Sequence, residues 1–259
     1  MDKKGKFDSL KKEREGKEFI NKWGEKAIVI RYGGINDVDI RYDNGYVQNL
    51  RWHSLVKGFH NPYTKSVYGV GYLGEGKYNV GDKVIYSVWS GMLERCYNPY
   101  FLNKRPAYRD CFVCEEWHCF QNFAKWYEEK YYEIEGERIE LDKDILYKNN
   151  KIYSPNTCIL VPGRINQLFI KQHKKDKKYP IGITEYHNGI RARCSILDKN
   201  GKCKIINLGC FPYNKVNEAF TCYKNFKENY IKRVADEYKD RIPQELYDAL
   251  YKYKVEIDD

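Results

Sequence analysis

No stretch of this 259-residue chain approaches the ~20 consecutive apolar residues that cross a bilayer, so no membrane-spanning helix is expected. Its charged start, Met1-Asp2-Lys3-Lys4-Gly5-Lys6, leads into Leu10-Lys11-Lys12-Glu13-Arg14, which lacks the apolar core of a signal peptide. The nine cysteines are odd in number and form no compact framework, which argues against a secreted disulfide scaffold and for a reducing cytoplasm. Histidine is scarce, with five residues at positions 53, 60, 118, 173 and 187. A dinucleotide-binding turn is also missing. Gly69-Val70-Gly71-Tyr72-Leu73-Gly74 matches the letters G-x-G-x-x-G, but no strong strand precedes it, and Gly76 and Lys77-Tyr78-Asn79 interrupt any helix after it.

What is abundant is basic charge mixed with aromatic rings. The formal net charge is +10, and 25 tyrosines and 11 phenylalanines are interleaved with 46 lysines and arginines. Such a surface suits a polyanion, because Lys and Arg neutralise phosphates and release counterions. The length leaves room for two or three small domains, and an apolar content of 42% is ordinary for globular chains.

Residues 1–19 read as a charged helix. Residues 20–62 read as a small β-rich module, with strands at 27–32 and 38–42 separated by Gly33-Gly34 and a hairpin turn at Asp43-Asn44-Gly45. Trp52, Leu55 and Phe59 form a core stripe at helical spacing. Residues 63–84 are a glycine-rich linker. Val88, Trp89, Met92, Leu93 and Cys96 define a helix that ends before Asn98-Pro99, and Phe120, Phe123, Trp126 and Tyr127 define one face of a helix from Trp117 to Lys130. Two hairpin arms follow at 141–145 and 158–161, joined by a long polar loop, and Pro162 opens a short helix. The basic run 171–178 reads as a linker. The chain closes with an amphipathic helix from Ile242 and an acidic tail, within 241–259.

Trp89, Met92, Arg95 and Cys96, then Val113-Cys114-Glu115-Glu116-Trp117 with Phe123, then Leu141-Asp142-Lys143-Asp144-Ile145, then Tyr153-Ser154-Pro155-Asn156-Thr157-Cys158 resemble the HNH endonucleases of bacteriophages and mobile introns. That resemblance, over residues 85–170, implies a ββα unit that clamps one divalent ion, with Mg2+ as the expected cofactor. It implies Asp142 or Asp144 as the strand ligand and Asn166 as the helix ligand, while Asn156 belongs to the turn. The position of the general base holds Lys143. An unperturbed lysine, with a pKa of about 10.4, is a poor base near pH 7, and no histidine falls on the matching strand. His118 reads as helix surface. Structural zinc is disfavoured, because Cys111-Phe112-Val113-Cys114 is one CxxC without a second, and packing is the better use of these thiols.

A second resemblance covers 179–240. Tyr179-Pro180-Ile181-Gly182-Ile183, Arg191-Ala192-Arg193-Cys194-Ser195-Ile196, Leu208-Gly209-Cys210-Phe211 and Asn217-Glu218-Ala219-Phe220 resemble the Apetala-2/ethylene-response-factor domain. It implies a three-stranded antiparallel sheet packed on one helix, with the open face of the sheet in the DNA major groove. The residues agree on their own terms. Asn188-Gly189 and Lys199-Asn200-Gly201 are turn signals, and Ala192, Cys194 and Ile196 alternate with Arg191, Arg193 and Ser195. Ala219, Phe220, Tyr223, Phe226, Tyr230 and Val234 make the helix stripe. The expected DNA contacts are Arg191, Arg193, Ser195 and Asn207, with Lys174, Lys175, Lys177 and Lys178 from the basic run.

The expected fold class is therefore α+β: a small N-terminal β-rich module, an HNH-like ββα-metal unit and a C-terminal sheet-on-helix domain. Three functions fit. The first is a phage or prophage double-stranded-DNA-binding protein, acting in the host cytoplasm, whose HNH-like unit has lost its base. The second is an active Mg2+-dependent homing or nicking endonuclease. The third is an anti-defence protein whose basic face binds a host protein or nucleoprotein.

Overall fold

The computed structural model describes residues 3–169, 178–197 and 201–259. The chain divides into two compact units, Met1–Asn79 with Cys119–Gln121, and Val80–His118 with Asn122–Asp259.

The first unit is built on a four-stranded antiparallel meander in the order β1-β2-β3-β4. Helix α1 (Lys3–Arg14) precedes β1 (Glu18–Ile20), β2 (Lys26–Gly34), β3 (Asp37–Tyr42) and β4 (Val47–Leu50), and α2 (Trp52–Lys57) follows. Ala27, Val29, Tyr32, Val38, Ile40 and Tyr42 face inward and pack with Leu55 and Phe59. Val29 and Tyr32 are three residues apart, which strict alternation forbids; a register shift between Val29 and Arg31 resets the phase and brings Tyr32 back to the core. The charged α1 is held on this sheet by Leu10, by Phe7 stacked on Tyr32 at 5.9 Å, and by the Arg14 guanidinium 4.1 Å over Trp52. Gly33 and Gly34 belong to β2, so the hairpin turn is Ile35-Asn36, one step beyond the expected glycines. The Asp43-Asn44-Gly45 turn forms as expected, with Tyr42 and Tyr46 paired across it.

The glycine-rich stretch 63–79 is tied down rather than free. Gln121 donates to the carbonyls of Leu73 and Tyr78 and accepts from the Tyr78 amide. No helix follows Gly74 until Lys83, which removes the geometry a dinucleotide turn requires.

The second unit starts with α3 (Lys83–Tyr97) and α4 (Pro99–Lys104), the latter capped by the Asn98 side chain. Strand β5 (Phe112–Val113) pairs in parallel with β7 (Ile152–Tyr153), and between them lie α5 (Phe120–Lys130) and β6 (Ile139–Asp142). Trp89, Met92, Leu93, Trp117 and Phe123 are fully buried, and the Trp89 indole donates to the Trp117 carbonyl at 2.8 Å. Strand β8 (Ile159–Pro162) pairs antiparallel with β6 and runs straight into the helical turn α6 (Gly163–Asn166).

The last part of this unit holds β9 (Ile183–Tyr186), β10 (Gly189–Leu197) and β11 (Cys203–Phe211), then α7 (Val216–Glu237) and α8 (Gln244–Lys252). Helix α7 serves two cores. Its first half packs Ala219, Phe220 and Tyr223 on the sheet, and its second half packs Ile231, Val234 and Ala235 with Ile145, Ile159, Val161 and Ile165 of the β6–α6 region. The acidic tail, assigned no role from sequence, docks as well. The Val255 amide donates to Glu228, and Asp259 pairs with Lys148 at 2.7 Å. All nine cysteines are free, and burial pushes the Cys96 and Cys158 thiols up to about 12, which keeps them protonated packing groups. No helix among the described residues is long and apolar enough to cross a membrane.

Candidate nucleic-acid interface

The sheet order is β11-β10-β9, so β10 is central and its two faces decide what this part of the molecule can do. Ile190, Ala192 and Cys194 are buried and point at α7 together with Ile183 of β9. Alternation then sends Arg191, Arg193 and Ser195 to the other face. Register adds their neighbours: Thr184 lies opposite Arg191 on β9, and Cys210, Asn207 and Ile205 lie opposite Arg191, Arg193 and Ser195 on β11.

Two glycines make this geometry possible. Gly182 sits at φ +80 where a Cβ would lie 2.2 Å from the Tyr223 ring, so only glycine lets the strand start this close to α7. Gly189 has the Phe211 carbonyl 2.4 Å from where its Cβ would be. That contact places Gly189 inside β10. The hairpin turn is therefore His187-Asn188, with His187 at φ 45, and not the Asn188-Gly189 pair expected from sequence. A bulge between Ala192 and Arg193 leaves Leu208 without an opposite residue and turns the outer face locally.

On that face the Arg191 guanidinium lies 4.1 Å over the Tyr186 ring, and neither its Nε nor the Thr184 hydroxyl has a hydrogen-bond partner. Among the described residues no ion pair engages Arg191 or Arg193. Four of the expected contacts, Arg191, Arg193, Ser195 and Asn207, thus share one open sheet face. Lys178 stands apart, spent on Glu185 at 2.9 Å, and Lys174, Lys175 and Lys177 lie outside the described residues. Tyr186 is the member that sequence reasoning missed; its two-residue spacing from Thr184 was the available signal.

The N-terminal sheet offers a contrast. Its outer face also carries an arginine, Arg31, but Asp39 at 2.5 Å and Asp37 at 2.6 Å neutralise it, and Asn49 bonds both acids. Hydrogen bonds from Arg31 and Asn49 hold the Asp37 carboxyl down at about 2. Arg31 is thus already spent, although Arg41 on the same face is exposed, whereas among the described residues Arg191 and Arg193 enter no ion pair.

The β6–β8 ribbon and α6 carry the residues expected to form a metal clamp, and some of their polar atoms make local hydrogen bonds. Asp142 Oδ1 accepts the backbone amides of Asp144 and Ile145, both at 2.7 Å, an arrangement that closes the turn after β6. Burial raises the Asp142 carboxyl above the usual carboxylate range, even though those amides oppose the shift. Asn166 donates to Glu140, two residues before Asp142. Lys143 is buried, and its ammonium donates to Asp144 at 2.7 Å and to the Asn150 carbonyl at 2.6 Å, while the Asn150 amide returns a bond to the Lys143 carbonyl. Lys143 is therefore a loop clasp. His118 lies 3.1 Å from the Val113 carbonyl. Among the described residues no three His, Cys, Asp or Glu side chains converge as a metal site.

Comparison with family models, with curated proteins and with solved structures returned no match for this chain.

Proposed function

We propose that this protein binds double-stranded DNA through the open face of the β9–β11 sheet and does not cleave it. The observation that carries the reading is the pair Arg191 and Arg193 on the central strand, which among the described residues enter no ion pair, flanked by Ser195, Asn207 and Tyr186. A β-ribbon of this kind fits the width of the major groove, where a guanidinium reaches guanine O6 and N7 with two parallel bonds. Asn207 directly across from Arg193 supplies the donor–acceptor pair that adenine takes. The net charge of +10 supports the encounter by adding a sequence-independent phosphate term.

In this reading the β6–α6 region descends from an HNH-like ββα unit and now serves as scaffold. Support comes from the order strand–loop–strand–helix, from Lys143 in the place of a base, and from the use of Asp142 and Asn166 as local hydrogen-bonding groups. The test is a retardation assay on duplex DNA across a salt series. Affinity should fall as a straight line in log–log form, with a slope near −0.9 for each phosphate neutralised. Binding that is insensitive to salt, or that requires a host protein in place of DNA, would sink the reading and favour an anti-defence role.

A further inference from the structure

A second feature lies in the first unit, at the turn between β1 and β2. Trp23 is 58% exposed there, whereas Trp89 and Trp117 are fully buried and Trp126 nearly so. Exposing an indole forgoes burial of one of the largest apolar side chains, so its setting is informative. The turn beneath it is unusually well built. The buried Asn21 accepts the amides of Trp23 and Glu25 at 2.9 and 3.0 Å and donates to the Glu25 carboxylate and the Phe59 carbonyl at 2.5 and 2.7 Å. Glu25 turns inward, where it also accepts from the Thr64 hydroxyl and the Asn61 amide and pairs with His60 at 3.1 Å.

That hub fixes the position of an exposed ring. The Lys22 ammonium lies 4.4 Å above the Trp23 indole, and the His60 ring is 5.1 Å from it. With Glu25 turned in, Lys17, Lys22 and Lys26 face a single exposed acid, Glu18, along residues 17–26, so the surround is cationic. A rigid aromatic ring with lysines beside it fits a base with its phosphate, since every base has a π-face and every nucleotide a negative charge.

We propose that the 21–25 turn is a stacking platform for an unpaired base of single-stranded or opened DNA, with Trp23 stacking on the base and Lys22 moving from the ring to the adjacent phosphate. This site shares no residue with the β10 face and does not rest on the duplex-binding reading.

Trp89, Trp117 and Trp126 are buried and Trp52 is half-buried beneath Arg14, so the Trp23→Phe variant identifies the Trp23 share of any fluorescence quenching. Titration of the full chain with a short oligodeoxythymidylate should quench emission saturably, and Trp23→Phe should abolish the quenching. By anisotropy of a labelled oligonucleotide, Trp23→Ala should bind about tenfold more weakly, and Trp23→Phe should stay close to wild type, because phenylalanine still stacks. An abasic strand of equal length should bind without quenching. Arg191→Ala/Arg193→Ala should quench as the wild type does, which separates this test from the duplex test. Quenching that survives Trp23→Phe, or unchanged affinity in Trp23→Ala, would overturn the proposal; the second outcome would leave the turn as a contact for a protein.

Discussion

Replacing Arg191 and Arg193 together by alanine is expected to weaken duplex binding by on the order of a hundredfold, since each bidentate arginine–guanine pair is worth about 1–3 kcal/mol. Both side chains leave the sheet on the face away from α7, so the packing of Ile190, Ala192 and Cys194 on Ala219, Phe220 and Tyr223 should survive, and an unchanged circular dichroism spectrum would show it. Two controls separate charge from readout. Arg191→Lys keeps a positive charge but loses the planar fork, so non-specific affinity should persist while preference among sequences is lost. Arg31→Ala on the other sheet should change little, because Asp37 and Asp39 already neutralise Arg31. Equal losses from the Arg31 and Arg191 variants would show that bulk charge, and not this face, governs binding.

The second large effect concerns stability. Ile231 is fully buried at the point where α7 meets the β6–α6 region, against Ile145, Ile159, Val161 and Ile165. Ile231→Ala removes buried methyl groups and leaves a cavity, which typically costs about 2–5 kcal/mol. For a unit of this size that corresponds to a melting-temperature drop on the order of 10 °C. The sheet and the ribbon share α7, so DNA binding and the buried-tryptophan signal of Trp89 and Trp117 should be lost in one transition. Two separated transitions, or a loss below about 1 kcal/mol, would show that the two halves of α7 belong to independent cores.

Much of this architecture is legible in the chain because the signals are periodic and local. The four-stranded and three-stranded antiparallel sheets follow from alternation at 27–32, 38–42 and 191–196, and α7 follows from the apolar steps between Ala219 and Val234. The grouping of Arg191, Arg193, Ser195 and Asn207 is legible for the same reason, once the β10–β11 register is drawn. What stays hidden depends on through-space contacts. Gly189 reads as a turn residue until the Phe211 carbonyl is seen to need its empty side. Tyr32 departs from the alternating pattern until the bulge before it is known. Asp142 reads as a metal ligand by its position, and only the folded turn shows one of its carboxylate oxygens accepting the amides two and three residues on. Lys143 reads as a vacant base, and only the Asn150 carbonyl 2.6 Å away shows it clasping a loop. The exposed Trp23 has no periodic signal, because the side chains of Asn21 and Glu25 build its turn from within.

The central claim, a duplex-binding protein whose HNH-like region no longer cuts, meets its most direct test on supercoiled plasmid with Mg2+ or Mn2+, beside Asp142→Ala and Asp144→Ala. The expected result is retardation that weakens as salt rises, with no nicking by the wild-type chain beyond that of the two variants. Metal-dependent nicking by the wild type that disappears in Asp142→Ala would contradict it, because the carboxylate now closing the β6 turn would then have to hold the catalytic ion.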